Sequence, residues 1–261
     1  MRTGRWTGRA AIMALAAAMA GSAGAHHALE FVETESTTTL ERGQKLFYLR
    51  YDIMAPDRDD ASQDRWEITP GLALGLTDRL LFDAHLHYAR FGAGHIVEGA
   101  VEEMGPQGPP PFFEAVALTL AYRFTPENAP VQMAVAASVE LPFRRAVDLL
   151  DAEEVYGGTL ILSREFGHHA NLSLNLTVEH EGGDTEFGYA LGFRRAIGAD
   201  PHGIAAGIEL LGDFEDIADS WRLTPGVYLP LDAGRTLLKA GFGIGRNAES
   251  TRATVMLVHV F

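Results

Sequence analysis

Three residues with ligand or proton-transfer chemistry, Asp83, His85 and His87, stand two positions apart. On a β-strand that spacing puts all three on one side, with about 6.6 Å between successive members. Imidazole and carboxylate donors suit zinc or copper, which makes this trio the candidate metal site of the sequence. One strand rarely supplies three ligands to one ion, because the donors must converge from several directions. A hydrated polar lining is therefore the competing reading. A second set of imidazoles, His26 and His27, would begin the chain once a leader is removed, where a free amine could complete a chelate. His168, His169 and His202 fall in expected turns and read as solvated side chains.

These residues need elements to hold them, and the pattern that supplies the elements has a period of two. Lys45, Phe47, Leu49, Tyr51 and Ile53 alternate with Gln44, Tyr48, Arg50 and Asp52. Leu172, Leu174, Leu176 and Val178 alternate with Asn171, Ser173, Asn175, Thr177 and Glu179 in the same way. Helical spacing would not produce this. The alternation predicts strands near 43–53, 64–76, 79–91, 112–124, 130–142 and 155–166. Six more are expected near 169–180, 184–196, 203–214, 220–230, 236–246 and 251–261. They are longer than the usual soluble strand of about 5–6 residues and match a tilted membrane-crossing strand of about 9–11.

The first 25 residues form a separate unit. Arg2, Arg5 and Arg9 precede the apolar run Ala10–Ala20, and Ala23-Gly24-Ala25 supplies small residues for cleavage, the anatomy of a secretory signal peptide. Removing three arginines and no acid takes the formal charge from −14 to −17. So acidic a chain argues against nucleic acid as a partner. The absence of cysteine excludes disulfides, thiolate metal sites and an amino-terminal lipid anchor. Although 47 % of residues are apolar, no later stretch is long and uncharged enough for a spanning helix, so any membrane crossing uses strands.

Alternation alone does not say which face meets lipid. The polar face is rich in small residues, among them Gly71, Ala73, Gly75, Ala115, Ala117, Ala121, Ala134, Ala136 and Ser138. A soluble barrel of twelve strands would instead need large apolar side chains to fill its interior. Aromatic residues near strand ends (Trp66, Tyr88, Tyr122, Phe124, Tyr156, Trp221) fit the interfacial girdle of a membrane barrel. With the amino terminus in the periplasm, the long gaps at 55–63, 92–111 and 143–154 all become external loops, and the short turns at 77–78 and 167–168 lie inside. The expected protein is an all-β, transmembrane, antiparallel up-and-down β-barrel of about twelve strands in the bacterial outer membrane. Residues 1–25 are its signal peptide, 26–42 a periplasmic segment or lumen plug, and 43–261 the barrel.

The inward face then carries Glu67, Asp83, His85, His87, Glu140, Glu165, Glu179, Glu186 and Glu209, set against Arg123, Arg194, Arg222 and Lys239. Unpaired, those acids would favour cations; paired with the arginines, they would close the lumen. Two motifs recur. Trp66-Glu67-Ile68-Thr69-Pro70-Gly71-Leu72 is echoed by Trp221-Arg222-Leu223-Thr224-Pro225-Gly226-Val227, and each Pro-Gly reads as a bulge or bend. The first, continued by Gly75-Leu76-Thr77-Asp78-Arg79-Leu80, resembles the outer-membrane family associated with the MetA pathway of phenol degradation over residues 64–91, and more weakly over 220–245. The resemblance implies a barrel handling small aromatic or apolar compounds and carries no catalytic residues. Val255, Leu257, His259 and the terminal Phe261 look like the carboxy-terminal signature read by the barrel assembly machinery. His87-Tyr88-Ala89-Arg90 sits where some barrel lipid hydrolases place His, Ser and Asn, but Ala89 and Arg90 supply no nucleophile.

The leading expectation is a narrow channel or transporter for small solutes, apolar, aromatic or cationic, with outer-membrane lipid as its surroundings. A scaffold or receptor barrel, using the acidic loops Asp57–Asp60 and Val97–Glu103, is the alternative, and an interfacial lipid hydrolase a more distant one. No cofactor is expected.

Overall fold

A computed structural model of the chain describes residues 31–55, 61–97, 108–126, 128–166, 170–198, 203–215, 217, 220–232, 235–246 and 251–261. The signal peptide, His26, His27, His168, His169, His202 and the acidic loops 57–60 and 98–103 lie outside them.

Each alternating run folds as a strand: β1 (Lys45–Met54), β2 (Arg65–Thr77), β3 (Leu80–Phe91), β4 (Phe112–Arg123), β5 (Gln132–Pro142) and β6 (Val155–Phe166). β7 (Ala170–Glu181), β8 (Asp184–Ala196), β9 (Ala205–Asp213), β10 (Trp221–Leu231), β11 (Thr236–Arg246) and β12 (Thr251–Val260) complete the set. Every strand pairs antiparallel with its sequence neighbours, and β12 returns to β1, from Leu46 opposite Val260 to Met54 opposite Arg252. Closure leaves no unpaired sheet edge, the condition for a strand structure in hydrocarbon.

The faces sort as the period of two requires. Phe47, Leu49, Tyr51 and Ile53 of β1, Phe187, Leu191 and Phe193 of β8, and Val255 and Leu257 of β12 are exposed on the outside, while Leu46, Tyr48, Asp52, Met256 and Val258 are buried within. At about 25 cal/mol for each Å² of apolar area left in water, so continuous an outer band is stable only against lipid. Around the rim opposite Phe261, Tyr51, Trp66, Tyr88, Phe113 and Phe143 form a chain of neighbouring rings, with centroids 5.1–6.3 Å apart, an interfacial girdle. On the same rim, helix α1 (Arg144–Leu150) buries Ala146 against Ala89, Phe91, Ile96 and Phe112.

The two Pro-Gly sites are not bulges. Pairing of β2 with β3 runs from Ile68–Tyr88 to Gly71–His85 with the register unchanged, and β10 with β11 from Leu223–Ile244 to Gly226–Gly241 likewise. The ladder loses its pairs at Pro70 and Pro225 on one side only, because proline has no N–H to donate. On the other side Pro70 still faces Leu49 and Pro225 faces Ile208. The register shifts instead between Gly75 and Thr77, and opposite His87 and Tyr88, where Glu114 is the extra residue of β4.

If the outer face meets lipid, a cation at mid-strand on that face should cost far more than one inside. Leu49→Arg is expected to lower folding stability in vesicles by about 2–4 kcal/mol. Thr177→Lys, on the inward face, should change it by less than about 1 kcal/mol, as read by denaturant titration of tryptophan fluorescence.

Candidate functional site: a strapped, acid-lined lumen

The residues before β1 enter the barrel. Residues 31–42 form a strap whose Phe31, Val32, Thr34, Thr37, Thr39 and Leu40 are all buried inside the lumen. The strap makes no strand of its own, so its backbone groups need partners from the wall, and charged side chains supply them. The Glu209 carboxylate on β9 accepts the backbone N–H groups of Val32 (2.7 Å), Glu33 (2.9 Å) and Thr34 (2.6 Å), and the Tyr228 hydroxyl at 3.2 Å. Lys239 Nζ on β11 donates to the Phe31 carbonyl at 2.9 Å. Glu209 and Lys239 are both fully buried, so the strap is part of how the barrel solvates its own interior charges.

Further along, the Glu33 carboxylate pairs with Arg222 and accepts the Thr224 hydroxyl at 3.0 Å. Asn175 brackets the Glu35 peptide, donating to its carbonyl (3.1 Å) and accepting from its N–H (2.7 Å), and Ser173 Oγ donates to the same carbonyl at 2.7 Å. Thr37 donates to Gln132 Oε1 (2.8 Å) and Thr39 to the Asp78 carbonyl (2.7 Å). Wall glycines clear the path. A Cβ on Gly192 would meet the Phe31 ring at 2.7 Å, and one on Gly75 the Glu41 carbonyl oxygen at 2.1 Å. The small inward residues that the sequence presents as free volume are partly the bed of this strap.

The strap divides the space that remains. A cavity of about 410 Å³ lies against Tyr48, Glu67, Asp83, His85, His87, Glu114 and Glu140, and another of about 580 Å³ against Glu179, Glu186, Asp213 and Arg222. Glu33, Glu35 and Thr119 line both. Asp83, His85 and His87 do share one face, but they divide between two groups, Asp83 and His85 in one and His87 in the other. Tyr48 Oη sits 3.0 Å from Asp83 Oδ1 and 2.9 Å from His85 Nδ1, and these two side chains meet at 2.8 Å. His87 turns to other strands, with Nδ1 at 2.6 Å from Glu67 Oε1 and Nε2 at 3.6 Å from Glu140 Oε2.

The other inward charges have distinct surroundings. Arg123 caps the barrel end through the Asp78 carbonyl (3.1 Å), Arg194 lies over the Tyr228 ring, and Glu165 is exposed at that same end. Glu179 and Glu186 stand opposite each other across β7 and β8 and make no ion pair among the described residues. Asp52, by contrast, is neutralised by Arg50 (2.7 Å) and Arg252 (2.9 Å). Phe261 is largely exposed beside β1, its N–H donating to the Lys45 carbonyl at 3.0 Å.

Sequence reasoning missed Glu114, Glu33, Glu35 and the Arg50–Asp52–Arg252 cluster. Glu114 was detectable in principle. Strict alternation from Ala115 and Ala117 would aim it at lipid, so a bulge was the cheaper reading.

A closed barrel with an apolar exterior and a charged lumen defines a porin-like transmembrane protein of the bacterial outer membrane. Solved structures share the architecture. The COG4313 outer membrane channel from Pseudomonas putida F1 superposes with a TM-score of 0.62 at 14 % identity, covering 88 % of this chain and all of that one. The KdgM porin gives 0.55 at 10 % identity (83 % and 99 % covered), and the NanC porin 0.51 at 9 % (82 % and 98 %). At these identities the likeness is one of fold. No family model matches the sequence, and no curated protein matches it.

Removing the Glu209 carboxylate would leave three strap N–H groups without an acceptor, at about 1–3 kcal/mol each, while the barrel ladder stays whole. Glu209→Ala, and independently Gly192→Val, should therefore release the strap from a barrel that still shows heat-modifiable gel migration. A spin label at position 38 should change from immobilised to mobile in both variants.

Proposed function

We propose that the protein is a narrow, cation-preferring channel for small solutes across the outer membrane, with the amino-terminal strap as its resident plug. The observation that carries this reading is the lumen itself: two acid-lined cavities, each of a size that holds a small molecule, parted by a segment that side chains rather than a strand ladder hold in place. Hydrogen bonds to side chains can exchange for water when the strap leaves, whereas the barrel wall need not open. Glu179 and Glu186, which face each other and make no ion pair among the described residues, favour cations in that space. The hairpin that resembles the phenol-degradation family adds small aromatic compounds to the solutes to be assayed.

The solved structures named above are two porins and a channel, which supports a transport role over an enzymatic one. Among the described residues, the polar partners of His87 are carboxylates and not a serine hydroxyl, so the hydrolase reading gains nothing from the geometry.

The strap also carries a titratable group. Glu35 points into the space shared by both cavities, its side chain open to the lumen. Desolvation by the wall around it, with Asp83 and Glu179 facing it, raises its carboxyl from 4.5 to about 7. A carboxyl whose docked value is raised favours docking while it is protonated in both states. Docking is strongest below about pH 4.5 and weakens as the pH rises through about 7, where the docked strap must carry an unwelcome charge.

Planar-bilayer recording of the refolded mature protein tests both parts. Discrete openings are expected, more frequent at pH 8 than at pH 5, with cation selectivity that weakens in Glu179→Gln. Glu35→Gln should flatten the pH dependence. A folded barrel that stays silent in the wild-type chain and in Glu209→Ala would rule out the channel and favour a scaffold.

A further inference from the structure

Glu67, His87 and Glu114 come from three adjacent strands, and one ligand atom from each lies within 4.8 Å of the other two. This is the convergence that three residues on a single strand could not provide. Glu114 reaches the lumen only because β4 holds one extra residue opposite His87 and Tyr88. A third carboxylate, Glu140, faces the imidazole from β5, across the cavity edge.

The imidazole is oriented for coordination. Its Nδ1 is held at 2.6 Å by Glu67. Its Nε2 is buried and has no hydrogen-bond partner among the described residues, yet Glu140 Oε2 stands 3.6 Å away. That separation is too long for a hydrogen bond, but it is close to the distance between two ligands on one ion with bonds of about 2.1 Å. A carboxylate on one ring nitrogen commonly fixes the tautomer that leaves the other nitrogen free for a metal.

We propose that His87 Nε2, with Glu114 and Glu140, forms a binding site for a divalent first-row transition-metal ion on the wall of the lumen, while Glu67 holds the ring from Nδ1. The mixed donor set selects the class: an imidazole nitrogen favours zinc or copper over magnesium and calcium, which take oxygen ligands. The ligands sit on paired strands, so little order is lost on binding, and the cavity alongside gives the ion its route in. The site does not depend on conduction, so a barrel that never opens would still bind, and the two readings fail separately.

The test is calorimetric titration of zinc chloride into the refolded mature protein, in a background where His26→Asn and His27→Asn remove the amino-terminal imidazoles. One ion per barrel is expected, weakened at least tenfold by His87→Asn and by Glu114→Gln, and little affected by magnesium at equal concentration. Unchanged zinc affinity in the folded His87→Asn protein overturns the site, and equal competition by magnesium overturns its assignment to transition metals. Should either variant fail to fold, two measurements remain. Glu140→Gln should weaken zinc binding, and the copper(II) electron paramagnetic resonance spectrum of the background protein should carry imidazole nitrogen hyperfine structure. Unchanged affinity in the first, or an all-oxygen spectrum in the second, refutes the proposal.

Discussion

A bilayer offers no water to a backbone amide, and the pairing of β12 with β1 is how this chain meets that constraint. Much else follows from the closure. It brings both ends of the barrel sequence to one rim, where the Phe261 N–H meets the Lys45 carbonyl. It also encloses a lumen into which residues 31–42, immediately before β1, run. The strap is inside because the closed wall supplies, at that position, the buried charges that its backbone can satisfy.

Those charges explain why the interior is neither a filled core nor a plain water pore. A glutamate and a lysine with no exposure would be costly on an apolar wall. Here Glu209 receives three strap N–H groups and Lys239 donates to a strap carbonyl. Strap and wall each solve the other's desolvation problem. Glycines at 75 and 192 leave room for the contact, and Arg222 answers the strap's own Glu33. The acids left over, Glu179 and Glu186, line the second cavity.

One additional residue in β4 changes the chemistry of the other cavity. Alternation would turn Glu114 towards lipid; the bulge turns it towards His87 and Glu67. β3 thus takes part in two groups, a tyrosine–aspartate–histidine network with Tyr48 of β1 and a separate cluster around His87. Residues that are neighbours along β3 are thus divided between two environments by what stands opposite them.

The strand pattern was legible because burial against lipid on one side and polar space on the other imposes a period of two on every crossing. Strand positions agree with the structure to within two residues, the largest offsets being 43 against Lys45, 130 against Gln132 and 203 against Ala205. Inward placement of Glu140, Glu179, Glu186, Glu209, Arg222 and Lys239 followed from parity alone. Parity carries no information about register between strands, so it could not pair His87 with Glu67 or set Glu179 opposite Glu186. It fails outright where a residue is inserted, as at Glu114. Nor could it say whether residues 31–42 enter the lumen, since that depends on Glu209 and Lys239, roughly 170 to 210 positions away. The sequence by itself determined the strands, their faces and the membrane setting, because these are local consequences of solvent on either side. Only the tertiary structure decided the path of the strap through the lumen, the cavities and the grouping of the charges, because these depend on which side chains a closed wall brings face to face.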